Sequence, residues 1–248
     1  MARSAAPSLT IRFAQLVDGP QQAAHQALLD SLARRPALAS ALLYVALGWK
    51  SDVQARGLAL LHPYLTITEE RNCAEFTISQ LSAEHRAAAY GLMAAAAADA
   101  ATHRRWFEAE LAAIGELTSD VKRIAALECA AEHTPSALWD DLLALAATIR
   151  KEAQRGKAFR QLLPRVPERL LPAVLHAMLS AQRPEVYIGA LAALAAAVSD
   201  HMLPILRQRI EHLPEDRRAE GVATLTRRDA GGEPGTVRCA CRLSVEPG

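Results

Sequence analysis

The sequence predicts an all-α fold, specifically a right-handed α-solenoid of stacked antiparallel helix hairpins. Three observations predict it. Ala makes up about a fifth of the 248 residues and Leu about a seventh, whereas aromatics reach only 4%, a composition suited to helices and poor for sheets. Helix start signals recur every ~13 to 18 residues, leaving room for short helices and short loops. A short motif, Arg-x-x-Ala followed by a large apolar residue, returns with a period of about 32 residues, within the range of helical repeats.

The elements follow in order. Ser8 to Asp18 reads as a short amphipathic helix able to cap the first hairpin. Pro20 opens a helix to about Arg35 and Pro36 opens the next to about Trp49, since proline is tolerated where the amide would be unpaired anyway. Ser51 is read as the cap of a helix ending near Pro63 to Leu65. Thr68 precedes Glu69 and Glu70, an acidic turn that suits the positive end of a helix. Ser82 caps a helix entered through Glu84. Thr134-Pro135, Pro167, Arg183-Pro184, Ser199-Asp200 and Pro214-Glu215 mark further starts.

The repeat reads Arg56-Gly57-Leu58-Ala59-Leu60, Arg86-Ala87-Ala88-Ala89-Tyr90, Arg123-Ile124-Ala125-Ala126-Leu127 and Arg155-Gly156-Lys157-Ala158-Phe159. Weaker copies stand at Ala24, Tyr187 and Arg218. The helix that follows repeats too. Trp106, Leu138, Leu170 and Met202 correspond, as do Phe107, Trp139, Leu171 and Leu203. Farther along, Leu142, Val174 and Leu206 match, and so do Ile114, Ala146, Met178 and Ile210, so the shared positions trace one face of a 3.6-residue period. Such a face can be buried only against neighbouring hairpins, which makes stacking the expected source of stability. The small residue after the Arg, with Gly57, Gly156 and Gly221, lets adjacent helices approach. The simplest role for the Arg is a solvated head with its stem over the apolar seam; the alternative is a buried ladder contacting the preceding loop.

Residues 1–228 are therefore expected to form a single solenoid domain of about six hairpins, with repeats over 20–228. Residues 229–248, rich in Gly, Pro and polar groups and without a period, read as a disordered tail. A run of 18 or more uncharged apolar residues is missing, so a membrane partner is not expected, and residues 1–20 do not read as a signal peptide. Cys73 and Cys129 are isolated, and Cys239 and Cys241 fall in the tail; this is not a disulfide framework and suits a reducing cytoplasm. Only four Lys stand beside abundant Arg, and with the high Ala content this suggests a bacterial genome rich in GC.

From Arg155 to Leu225 the chain resembles the Ala/Leu-rich, HEAT-like helical repeats found beside bacterial NACHT-type and related STAND signalling NTPases. The residues that carry the resemblance are Arg155, Ala158-Phe159, Leu162-Leu163-Pro164, Val166-Pro167-Glu168 and Leu170-Leu171, followed by Ala190-Leu191 in the next copy. About a third of the chain matches well and the middle more loosely. The resemblance implies a scaffold and transfers no catalytic residue. Gly156-Lys157 lacks the Gly-rich lead of a nucleotide-binding loop.

Chemistry-bearing motifs are few. None of the eight His stands at zinc-ligand spacing, and the densest cluster, Glu128, Cys129, Glu132 and His133, reads as a helix end with a favourably placed His. Cys239-x-Cys241 lacks partner ligands. No cofactor, no metal and no catalytic residue is expected, and the chain is read as non-enzymatic. Trp106 and Trp139 invite comparison with HEAT-like DNA glycosylases, but both fall at core positions, and Arg104-Arg105 is offset by Glu108, Glu110, Asp140 and Asp141. A net charge of +1 also argues against nucleic acid as the partner. The remaining candidate is the outer side of the second helices, where Arg105, Arg169 and His201 form one row and Glu108 and Asp140 another, continued by Pro172 and Pro204. These rows are the expected contact for a protein partner of a scaffold, adaptor or sensor module.

Overall fold

The computed structural model describes residues 30–174 and 203–212, with isolated positions between 215 and 226. The expected capping helix, the helix from Pro20 up to residue 29, the starts at Arg183-Pro184 and Ser199-Asp200, Pro214 of the start at Pro214-Glu215, the repeat at Tyr187, the residues Met178, Met202 and His201, and the tail all lie outside the described residues. Every regular element among the described residues is helical, as the composition predicts. Helical residues 30–34 are followed by α1 (Pro36–Ala46), α2 (Ser51–Leu61), α3 (Thr68–Ser79), α4 (Ala83–Ala95), α5 (Ala100–Glu116), α6 (Asp120–Ala130), α7 (Trp139–Ala147), α8 (Glu152–Leu162) and α9 (Leu203–Glu211). Single 3₁₀ turns occupy His62–Tyr64, Ser136–Leu138, Leu163–Arg165 and Glu168–Leu170. No described helix is long and apolar enough to cross a membrane.

The chain divides after Thr118 into two compact units. In the first, α4 and α5 pack most extensively, and α2 lies against α4. Arg86, in the first turn of α4, pairs with Glu116 at the last residue of α5, so these two helices run antiparallel. The core contains Leu43, Leu58, Leu61, Ile78, Met93, Phe107 and Ile114. In the second unit α8 packs on α6 and α7 around Leu127, Leu138, Trp139, Leu142 and Leu162.

At the described positions the repeated face is buried, except at Leu203, which is half-buried. Trp106, Phe107, Leu138, Trp139, Leu142, Ala146, Leu170, Leu171, Val174, Leu206 and Ile210 are all buried. Of the small motif residues, Ala59, Ala89 and Ala158 are buried as well. Gly57 gains from its missing side chain: a Cβ there would lie 2.8 Å from Cζ3 of Trp49. Gly91, which the motif does not cover, is tighter still, because a Cβ would lie 2.6 Å from Oε1 of the buried Glu110.

Helix starts differ in detail from the sequence reading. Ser82 accepts from the His85 amide as expected. Ser51 and Thr68 are instead the first residues of their helices; Lys50 and Ile67 occupy the capping positions, and neither start has a side-chain cap. Asp99 and Ser119 cap α5 and α6 by accepting from the Thr102 and Lys122 amides, two starts the sequence reading passes over. The Thr102 amide and hydroxyl hold the exposed Asp99 carboxyl below its ordinary range. Pro135 and Pro167 each precede a 3₁₀ turn before α-helical residues begin.

Candidate interaction surface

Three of the four strong motif arginines, Arg86, Arg123 and Arg155, are not simply solvated. Arg86 Nη1 donates to the Leu81 carbonyl at 2.9 Å, and Arg155 Nη1 donates to the Ile149 carbonyl at 3.3 Å. Each thereby ties its helix to the loop before it and satisfies a carbonyl that no helix ladder uses. Arg123 reaches the Thr148 hydroxyl instead. The ladder alternative therefore describes Arg86 and Arg155, and the purely solvated reading does not.

In the first unit, a polar and aromatic cluster gathers around the start of α5. Glu75 of α3 accepts from His62 Nε2 at 2.9 Å and from Arg105 Nη2 at 2.6 Å. The Arg105 guanidinium carbon stands 4.2 Å from the centre of a Trp106 ring. Tyr90 stacks on Trp106 at 5.8 Å and His62 meets it edge-on at 5.3 Å. Burial pushes the His62 imidazole below its ordinary range despite the hydrogen bond to Glu75, and burial raises the Tyr90 phenol. At neutral pH the His62–Glu75 contact is thus a hydrogen bond from a neutral ring, Nε2–H donating because the carboxylate can only accept.

The predicted strip residues are exposed at the described positions, but each is engaged by an opposite charge. Arg105 pairs with Glu75, and Glu108 with Arg104 one helical turn away at 2.7 Å. Arg169 lies 3.6 Å from Asp140 and also donates to the Ser136 carbonyl. Arg105 and Glu108 belong to the first unit, Asp140 and Arg169 to the second, and His201 lies outside the described residues. Trp106 and Trp139 are each only 4% exposed, so neither ring is free to stack on a base.

Two features escape the sequence reading. Tyr44, Ile67, Phe76 and Val121 remain exposed despite their apolar character. Around α8, Arg150, Lys151, Lys157 and Arg160 are all exposed, and none of their side chains has an ion pair or hydrogen-bonded partner among the described residues. The signal for the second was present: five cations, Arg155 among them, fall within eleven residues that contain a single acid, Glu152. Glu152 itself lies 4.0 Å from Arg155. Among the described residues no group of three or more His, Cys, Asp or Glu is arranged to hold a metal ion. No protein-family model, curated protein or solved structure matches the chain.

Proposed function

We propose that the chain is a HEAT-like α-solenoid serving as a non-catalytic protein-interaction scaffold, an adaptor or sensor module of a bacterial signalling or defence system acting in the cytoplasm. The observation that carries this reading is the recurrence of polar links at one repeat's separation. Ser40 donates to Glu70 and Arg105 to Glu75, each across 30 residues, in the first unit. In the second, Gln161 donates to Glu128, Arg165 to Glu132 and Arg169 to the Ser136 carbonyl, each across 33 residues. Links at this separation are what stacking of successive helix pairs would produce, and they support that reading. A stack of this kind spends its apolar faces on its own neighbours and leaves regular rows of side chains outward, which supports recognition of a partner over chemistry in a central cavity.

The test is affinity capture of a defined partner with the full chain, repeated with Arg169→Glu and His201→Glu. Loss of capture with unchanged circular dichroism supports the scaffold reading and its strip. Capture that survives both reversals removes the strip. If the full chain captures no protein partner at all, the scaffold reading is removed.

A further inference from the structure

We propose that the outward side of α8, carrying Lys157 and Arg160 with Arg150 and Lys151 leading into it, docks an acidic polypeptide segment of a protein partner. The proposal rests on the scaffold reading and names the chemistry of its partner. The exposed stripe of α8 runs through Ala153, Lys157 and Arg160, positions three and four apart on one helical face, and it contains no acid. The α8 acid, Glu152, is drawn to Arg155, while Glu128 and Glu132 of the same unit are engaged by Gln161 and Arg165. Within α8 the stripe extends about 10 Å from Ala153 to Arg160 at a helical rise of 1.5 Å per residue, and Arg150 and Lys151 precede it in the loop.

The repeat itself does not call for these charges. Aligned on the motif Arg, Lys157 corresponds to Leu58, Ala88 and Ala125, and Arg160 to Leu61, Gly91 and Glu128. Neither position carries a cation in the other three strong copies. Clustered like charges repel one another, so four of them on one short segment of a nearly neutral chain disfavour the isolated protein and favour an anionic partner. The size of the patch selects the kind of anion. An extended peptide advances ~3.4 Å per residue, so about three residues of acidic chain cover the stripe within α8. A nucleic acid backbone needs a longer uncompensated surface, and the same unit exposes Glu132, Asp140, Asp141 and Glu168.

Fluorescence anisotropy tests this with the full chain and a labelled Asp/Glu-rich peptide of roughly twelve residues. A Gln/Asn peptide of the same length and a short DNA duplex are the comparators. The expected result is binding of the acidic peptide at least about tenfold tighter than either comparator, weakening as salt rises from ~50 to ~300 mM. R150E/K157E/R160E weakens it by about tenfold or more, whereas R34E/R35E/K50E, an equal charge change in the first unit, moves it less than about twofold. R150Q/K157Q/R160Q repeats the test should the reversal variant lose its circular dichroism. Absent binding, equal binding by wild type and variant, or tighter binding of the duplex overturns the proposal. Should the peptide fail while a protein partner is still captured, this inference falls and the scaffold reading stands.

Discussion

His62 carries opposing influences that can be separated by titration. Burial opposes its charged form, the Glu75 carboxylate favours it, and Arg71 and Arg105 oppose it again; burial prevails and the folded value lies below the ordinary one. The unfolded ring takes up a proton near pH 6.5 and the folded ring does so only at lower pH. As pH falls through that interval the unfolded state binds more protons, so stability contributed by His62 is present above about pH 6.5 and is lost on acidification. His62→Gln keeps a donor toward Glu75 and removes the titration. Urea midpoints of the two proteins at about pH 7.5 and about pH 5.5 check this: the wild type is expected to lose more than the variant. An equal loss in both would show that His62 is not the group responsible.

At the scale of the helix, the motif Arg acts as a strut. Arg86 bonds a loop carbonyl and pairs with the far end of the partner helix, and its side chain is 18% exposed. Arg104 pairs with Glu108 one helical turn away, and both side chains are more than half exposed. Arg86→Met is expected to cost about 1–3 kcal/mol because a partly buried acceptor loses its donor, and Arg104→Met less than about 0.5 kcal/mol because solvent screens such pairs. Denaturant melts of the two variants check the contrast, and equal costs would return Arg86 to the role of a solvated side chain. The same comparison shows what the sequence made legible. The buried face was readable because a 3.6-residue period records burial directly, down to Trp106 and Trp139. The destination of Arg86 was not, because which carbonyl it reaches depends on the path of the loop from Gln80 to Ser82. The strip residues were correctly read as exposed where they are described, but their neutralisers, Glu75 for Arg105 and Asp140 for Arg169, are about thirty residues away in sequence and become neighbours only through packing.

For the whole molecule, the stacking proposal makes a claim about how stability is distributed. In a one-dimensional array each pair of helices is supported by its immediate neighbours, so damage stays local; around one shared core it spreads to every element. Leu58 is fully buried at the centre of α2, which packs on α1, α3 and α4. Leu58→Ala is expected to cost about 2–5 kcal/mol through lost contacts and a residual cavity. Under native conditions, amide exchange should accelerate in α1, α2, α3 and α4, whereas the slowest amides of α6 and α8 should keep the rates of the unmodified protein. The reciprocal change, Leu127→Ala at a fully buried position of α6, should accelerate α6 and α8 and spare α2. Uniform acceleration of all nine described helices by either substitution would mean that the chain unfolds as one cooperative core. The period of its motif would then describe local packing alone, and the argument for a scaffold of separable layers would lose its foundation.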